Sequence, residues 1–264
     1  MTGGVDLISA RAPPGLRLYA VGDIHGRSDL LEILHRHVAA ELEADAPDDW
    51  RIVHLGDYTD RGPDSRGVLE LLAQARARDS QHHVMLAGNH DLGLLEFLAR
   101  PEPYGLFMTN GGIETAASYG VHWSRFGFPV EDAQALGAFH AALLAAVPPT
   151  HIDLLRTLST SFACGDFFFC HAGVRPGVAL ERQSPDDLVW IRGEFHNHAG
   201  LYPKVIVHGH TPVAAAEFRP NRINLDTGAF RTGRLSAVRI DGTGKRLLTV
   251  TREGVAQSSA VVTP

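Results

Sequence analysis

The sequence has few cysteines, more acidic than basic residues, and no apolar run long enough to cross a bilayer. Its two cysteines, Cys164 and Cys170, flank a Gly-Asp turn. A disulfide there is conceivable, but two reduced thiols in a cytosolic protein are the better interpretation. The 24 Lys and Arg against 30 Asp and Glu give a formal charge of −6, which predicts no nucleic-acid or membrane partner. Residues 1–14 lack the apolar core of a signal peptide, so we expect a cytoplasmic protein.

The length of 264 residues and the hydrophobic content of 44% are typical of one large globular domain. We expect a loose lead-in over residues 1–15, a single domain over 16–252 and a frayed tail over 253–264. Histidine is over-represented, with 15 copies. Most of them are predicted to lie on the surface or to support other residues; this group includes His35, His37, His82, His151 and His196.

Apolar strands and helical spacing alternate through the first hundred residues. Each predicted strand precedes a helix, and Ser28 is the expected cap of the first helix. Right-handed crossovers then favour a largely parallel sheet. Residues 100–158 are predicted to form a helical insertion that walls the substrate cleft. The predicted strands cover 16–21, 52–55, 83–87, 161–163, 167–170, 205–207, 222–225, 235–240 and 246–251.

Polar blocks flanked by glycine directly follow five of these strands. Each block is a weak signal by itself, because Gly-Asp and Asn-His turns are common. Together they bring carboxylate, amide and imidazole groups to one sheet edge, where open α/β folds place their chemistry. The first three blocks are spaced by roughly 30 residues, the length of a βαβ unit. Their candidate ligands are Asp23, His25, Asp57, Asn89, His171 and His210.

So many converging polar groups predict bound cations, because unpaired carboxylates repel one another and are costly to bury. Mixed oxygen and imidazole ligands favour Mn, with Fe or Zn as alternatives, over Ca or a thiolate-bound metal. Six ligands with one carboxylate central in the order suit two metals that share a bridging group. Two such cations, about 3.5–4 Å apart, acidify a bridging water and clamp a phosphoryl group.

The polar blocks resemble, in order, the signature sequences of the phosphoprotein phosphatase branch of the calcineurin-like metallophosphoesterases. They are most similar to those of the small bacterial and phage-type enzymes, and the resemblance covers nearly all of 17–240. The matching segments are Gly-Asp-Ile-His-Gly at 22–26, Gly-Asp-Tyr-Thr-Asp-Arg-Gly at 56–62, Gly-Asn-His-Asp at 88–91, Asn-Gly-Gly at 110–112, His-Ala-Gly at 171–173, Trp-Ile-Arg at 190–192, Gly-His-Thr at 209–211 and Asn-Leu-Asp-Thr-Gly-Ala at 224–229.

The resemblance implies an α/β fold, a sandwich of two mixed β-sheets flanked by helices, with metals at the loop-bearing edge. It also implies how the two metals are held. In this arrangement the first metal would be bound by Asp23 and His25, the bridge would be Asp57, and the second metal would be bound by Asn89, His171 and His210.

The resemblance further implies the residues that act on substrate. His90 would protonate the leaving oxygen and would be oriented by Asp60. Arg61 and Arg192 would grip the phosphoryl oxygens beside Asn89, since a planar guanidinium matches phosphate; Arg175 competes with Arg192 for this role, and Arg192 is preferred. Three neighbours have weaker predictions: packing for Tyr58, a structural role for His208, and support of a ligating histidine by Asp226.

The predicted function is hydrolysis of phosphate esters of protein Ser, Thr or Tyr and of small aryl phosphates. An alternative is a dinucleoside polyphosphate hydrolase, because Asp91 stands where the protein phosphatases usually have Glu. In contrast, the Gly-His-Thr-Pro block at 209–212 is typical of the protein phosphatases. A third hypothesis is a protein-binding scaffold without turnover, which would have no need of His90, Asp60 and both arginines together.

Overall fold

The computed structural model describes residues 3–127, 129–260 and 262. Two β-sheets with helices on their outer faces form its framework. The strands are β1 (Leu16–Val21), β2 (Asp49–His54), β3 (His83–Met85), β4 (Ser161–Cys164), β5 (Phe167–Cys170), β6 (Val205–His208), β7 (Glu217–Arg219), β8 (Arg222–Asn224), β9 (Leu235–Asp241), β10 (Gly244–Thr251) and β11 (Gly254–Ser259).

The helices lie between and outside these strands. They are α1 (Ser28–Asp45), α2 (Ser65–Arg78), α3 (Asn89–Ala99), α4 (Leu106–Thr109), α5 (Gly112–Ser118), α6 (Ala133–Ala146), α7 (Pro149–Arg156), α8 (Pro185–Trp190), α9 (Gly193–His196) and α10 (Ala229–Thr232), with short 3₁₀ turns at Trp123–Arg125 and Leu180–Arg182.

The first sheet has the order β11-β10-β9-β1-β2-β3, in which β1, β2 and β3 are parallel. The second has the order β4-β5-β6-β8-β7, with β5, β6 and β8 parallel. This arrangement confirms the predicted sandwich of two mixed sheets. The carboxyl ends of β1, β2, β3, β5 and β6 all precede the polar blocks, so these loops gather at one edge of the sandwich.

Three apolar cores join the layers. Between the sheets, Val53 and Leu55 from the first pack with Phe169 and Val207 from the second. Outside the first sheet, α1, α2 and the helical segment α4–α7 share a second core, so the predicted insertion is helical. Outside the second sheet, α8 and α9 cover a third core around Phe195. Burial of these faces supplies the main stabilising free energy of the fold.

The chain ends differ from the prediction. The expected loose lead-in is packed: Leu7 is fully buried between the sheets, and Val5 N–H donates to the carbonyl of Tyr202. The expected frayed tail forms β11 over Gly254–Ser259, because its backbone completes hydrogen bonds that the edge of β10 would otherwise leave open. The first segment is held by partners distant in sequence, and the second pairs with the strand directly before it. Local periodicity reveals neither contact.

At the first helix one local expectation is corrected, whereas at the β4–β5 hairpin the preferred interpretation of two reduced thiols is confirmed. Ser28 is the first residue of α1 rather than its cap: Arg27 occupies the N-cap position without a side-chain capping hydrogen bond, and the Ser28 hydroxyl donates to Asp64, 2.5 Å away. Both cysteines are free, and the register of the β4–β5 hairpin places Cys170 opposite Ser161 rather than opposite Cys164. No single described helix is long and apolar enough to span a membrane; α6 and α7 meet that test only as a pair, bent by 94°.

Candidate metal centre

The polar loops of both sheets meet at one buried site. The ligand atoms of His25, Asp57 and His90 lie within 4.8 Å of one another, and so do those of Asp57, His171 and His210. All five residues are buried. Asp57 belongs to both groups, as expected of a carboxylate shared by two cations.

The hydrogen bonds of two histidines direct their second ring nitrogen into the site. His25 places Nδ1 2.7 Å from the carbonyl oxygen of Thr59, and His171 places Nδ1 3.0 Å from that of Leu55. A carbonyl only accepts, so each Nδ1 carries a proton, and in the neutral ring Nε2 keeps its lone pair. Partners of this kind commonly set the tautomer of a metal-ligating histidine.

The environment of His171 Nε2 fits a cation. Burial lowers the pKa of His171, so the ring is neutral and its single proton lies on Nδ1. Its Nε2 then faces Asn89 Oδ1 at 3.0 Å and Asp57 Oδ1 at 3.4 Å, both electron-pair donors. These three atoms point their lone pairs at one another, so they repel unless a positive charge lies among them. These residues therefore fit a bound divalent cation.

Asp23 and His210 close the site from opposite sheets. The backbone N–H of His210 donates to the Asp23 carboxylate at 3.0 Å. A side chain at Gly209 would collide with that carboxylate, so glycine allows the two loops to approach. The Nε2 of His210 is buried without a hydrogen-bond partner among the described residues, which leaves it available to a metal. Asp23 lies outside the two groups within 4.8 Å, although it borders them.

The site crowds buried carboxylates together with imidazole rings, and this shifts the pKa values of its residues. Burial, together with the carboxylates of Asp226 and Asp57, raises the pKa of Asp23 well above its usual value. Burial also opposes ionisation of Asp57, but the neighbouring imidazoles outweigh it and hold the pKa of Asp57 well below its usual range. Burial and the adjacent His171 lower the pKa of His210 to about 2. Divalent cations would compensate the crowded carboxylates.

The predicted acid, His90, is paired with Asp60 as expected. His90 Nδ1 lies 2.8 Å from Asp60 Oδ2, and Arg61 donates to His90 Nε2 at 2.8 Å and to His25 Nε2 at 3.1 Å. The guanidinium of Arg61 therefore occupies the Nε2 atoms of both His25 and His90. Because His90 also belongs to a potential ligand group, its role as acid rather than ligand stays a prediction.

Thr115 is a supporting residue that the sequence interpretation missed. Its hydroxyl donates to Asp60 Oδ1 and accepts from the Asp60 backbone N–H, both at 2.8 Å. It lies on α5, in the helical insertion, and is fully buried. Only the Asn-Gly-Gly block before α5 hinted at this contact: the carbonyl of Gly111 accepts from Arg61 N–H, and a Cβ there would lie 2.6 Å from that nitrogen.

Asp91, the residue that departs from the protein-phosphatase pattern, holds the bridging loop. Its carboxylate accepts from the backbone N–H of Asp57 at 2.8 Å, Tyr58 at 2.9 Å and Gly88 at 3.0 Å. The side chain is fully buried. Its function in the structure is therefore to fix the backbone beneath Asp57.

The two candidate arginines beyond the centre differ in their partners. The guanidinium of Arg175 is held by Asp187 at 2.6 Å and by Glu194. Arg192 is exposed, and its charge contributes to the lowered pKa of His210. Arg192 is therefore the one whose fork is available to a phosphoryl group, and its predicted preference over Arg175 is retained as a prediction.

The three weaker predictions have mixed outcomes. Tyr58 packs as expected and donates to the carbonyl of Leu86 at 2.7 Å. His208 is a buried structural histidine, packed 4.9 Å from the ring of Phe195. Asp226 is predicted to bond a ligating histidine, but among the described residues its carboxylate accepts from the backbone N–H of Gly228 at 2.9 Å and makes no hydrogen bond to a ligating ring.

Backbone strain is concentrated at the site. Six described non-glycine residues have left-handed backbone angles, and all but Ala46 lie in the polar loops. Such conformations cost of order 1–3 kcal/mol each and persist only where surrounding contacts hold them. The strained site residues are His25, Asp57, Asp60, Arg61 and His210.

The chain is similar to known proteins, and these similarities identify its family. The calcineurin-like phosphoesterase family model matches residues 16–231. Curated proteins named bis(5'-nucleosyl)-tetraphosphatase PrpE [asymmetrical] are similar: that of Bacillus cereus (strain B4264) is 27% identical and that of Bacillus anthracis (strain CDC 684 / NRRL 3495) 28%. Each alignment covers 83% of this chain and 88% of the relative.

Solved structures share the fold. One named as a proposed diadenosine tetraphosphatase has a TM-score of 0.60 at 22% identity, covering 96% of this chain and 99% of that one. A cold-active protein tyrosine phosphatase has a TM-score of 0.55 at 16% identity, covering 96% and 82%. These structures show the fold alone, so the predicted phosphoprotein phosphatase branch stays a prediction, and the similar curated sequences carry nucleotide names. Since the family model spans most of the chain, this protein belongs to the calcineurin-like phosphoesterase family.

Proposed function

We propose that this protein is a metal-dependent hydrolase of bis(5'-nucleosyl) tetraphosphates and related nucleoside polyphosphates. The observation that carries the reaction class is the pair of ligand groups sharing Asp57. The substrate class is supported by the names of the similar curated proteins, which align over 83% of this chain. This choice replaces the phosphoprotein substrate as the first hypothesis.

The predicted ligands would hold two cations. Asp23, His25 and Asp57 would hold one cation, and Asp57, Asn89, His171 and His210 the other, with Mn as the preferred metal. Bound cations supply Lewis acidity at the phosphoryl group and neutralise the buried carboxylates.

Arg61 and His90 act on the substrate directly. The Arg61 fork, which now donates to two imidazoles, would turn to two phosphoryl oxygens, with Arg192 as the second cationic contact. This shift would uncover His90 Nε2, which would take up a proton from solvent and pass it to the leaving oxygen while Asp60 keeps Nδ1–H in place. Thr115 fixes Asp60 and therefore the ring orientation.

A direct comparison of substrates tests the proposal. Protein loaded with Mn²⁺ is assayed on diadenosine tetraphosphate, on a phosphoserine peptide and on p-nitrophenyl phosphate. We expect the highest kcat/KM on the tetraphosphate. A higher kcat/KM on the peptide would reject the proposed substrate in favour of the phosphoprotein hypothesis. Absence of turnover on all three would favour a binding scaffold. The cytoplasmic location stays a prediction.

A further inference from the structure

A basic cleft lies next to the metal centre and is used by none of the steps above. Its volume is about 590 Å³, within the range of small-molecule sites. We define the basic cleft by its lining residues, which are Arg27, Pro63, Phe230, Arg231, Thr232, Gly233, Arg234, Thr251, Arg252 and Glu253.

Phe230 joins the basic cleft to the centre. Its ring lies 5.5 Å from the ring of His25, and the Arg61 guanidinium is 5.5 Å from its centroid. Arg27 fixes the segment before Phe230, since it donates to the carbonyl of Ala229 at 2.8 Å. A molecule gripped by Arg61 at one end can therefore extend past Phe230 into the cleft.

Two arginines of the cleft share one carboxylate partner, and two have none among the described residues. Arg27 and Arg252 both bond Asp29, at 2.8 Å. Arg231 and Arg234 have no carboxylate partner among the described residues: Arg231 lies 5.9 Å from the ring of Phe230, and Arg234 donates to a backbone carbonyl. Both are exposed. In a chain of net charge −6, this is local positive charge without a partner.

The geometry points to the basic cleft as the subsite for the phosphates of a polyphosphate chain beyond the one under attack, with Arg231 and Arg234 as its specificity-determining contacts. This inference rests on the proposed function and adds the residues that select the substrate. Guanidinium groups suit phosphate through paired N–H donors. A phosphoserine side chain or an aryl monophosphate has one phosphate and leaves these two arginines unused.

The test uses the double variant Arg231→Ala/Arg234→Ala on the full chain with Mn²⁺. Arg78→Ala/Arg246→Ala is the matched control, because both positions are exposed, lie outside the cleft and remove the same charge. The ratio of kcat/KM on diadenosine tetraphosphate to that on p-nitrophenyl phosphate is the readout. We expect it to fall about 10- to 100-fold in the cleft variant and to stay within twofold in the control. An unchanged ratio in the cleft variant overturns the inference.

A second measurement separates this inference from the proposed function. Inorganic tripolyphosphate is used as an inhibitor of p-nitrophenyl phosphate hydrolysis, so no nucleotide turnover is required. We expect its inhibition constant to rise at least about tenfold in the cleft variant alone. If the inhibition constant rises in this way but the protein does not hydrolyse the tetraphosphate, the cleft is a polyphosphate site and the proposed function is rejected. Equal inhibition of both variants would reject the cleft. If tripolyphosphate binding depends on the cleft but diadenosine tetraphosphate discrimination does not, the cleft selects inorganic chains and the nucleotide inference fails.

Discussion

Two clusters of histidines in the described part of the chain differ in the groups that surround their rings. At the metal centre, every ring has a carbonyl or carboxylate neighbour; these rings are His25, His90, His171 and His210. The second cluster, which we call the strand histidines, comprises His35 on α1, His54 on β2 and His83 on β3. There, His35 Nε2 meets His54 Nε2 at 3.0 Å.

The strand histidines have no carboxylate hydrogen bond among the described residues. Nδ1 of His54 and of His83 are buried without a partner in the same part of the chain. Burial lowers the pKa of all three rings, to about 4 for His35. The comparison teaches that burial alone makes a histidine neutral. A carboxylate that lies close to several ring nitrogens, as Asp57 does in both ligand groups, is what suits a histidine to a cation.

The largest expected effect is a loss of kcat/KM when the metal centre, but not the strand histidines, is changed. Asp57→Asn removes the shared charge, so we expect kcat/KM on any phosphoester to fall at least about 10³-fold, at the upper end for one electrostatic contact. The control is His54→Asn, in the strand histidines, for which kcat/KM should stay within twofold. Comparable losses of kcat/KM in both variants would contradict the assignment of catalysis to the metal centre.

The next effect concerns His90 and depends on the leaving group. His90→Asn should lower kcat about 10²-fold or more on a phosphoserine peptide, whose alkoxide needs a proton, and much less on a tetraphosphate, whose leaving group is a stable anion. Manganese content, measured by mass spectrometry, should be unchanged. Loss of one manganese would instead make His90 a ligand.

A smaller effect is expected from Thr115, which acts only through Asp60. Thr115→Val removes both hydrogen bonds, and we expect kcat on an alkyl phosphate to fall about tenfold with KM nearly constant. Thr115→Ser keeps the hydroxyl and should restore kcat. If valine and serine behave alike, packing rather than orientation explains the loss.

The smallest effect is on stability and belongs to the strand histidines. Their pKa values are lower in the folded protein, so the unfolded chain takes up protons first as the pH falls below about 6.5. Stability should therefore decline from pH 6.5 towards pH 4, by at most about 1.4 kcal/mol per pH unit for each histidine. Urea unfolding at pH 7, 6 and 5 should give a shallower decline for His54→Asn. An equal decline would exclude His54 as a contributor.

The sequence was informative where chemistry is local. Each ligand directly follows an apolar strand, so the loops at Asp23, Asp57 and Asn89 could be assigned to one sheet edge before any coordinates. Long-range partners were invisible in the sequence: Thr115 is 55 residues from Asp60. The basic cleft likewise combines Arg27, Arg231 and Arg252 from three separate segments.

Histidines show the same limit. His35 and His151 were expected at the surface or in support, yet His151 is fully buried between Tyr119 and Glu70, and His35 pairs with His54. The short strand β7 has only three residues and was not predicted, since its existence depends on pairing with β8. Burial and pairing are properties of the assembled fold rather than of a sequence window.

Diffraction at the manganese absorption edge, from crystals grown with Mn²⁺, tests the central claim most directly. We predict two anomalous peaks about 3.5–4 Å apart, one on each side of the Asp57 carboxylate. One peak would lie near His25 and the other near His171 and His210. The absence of density at Asp57, or a single ion that leaves His210 uncoordinated, would contradict the account.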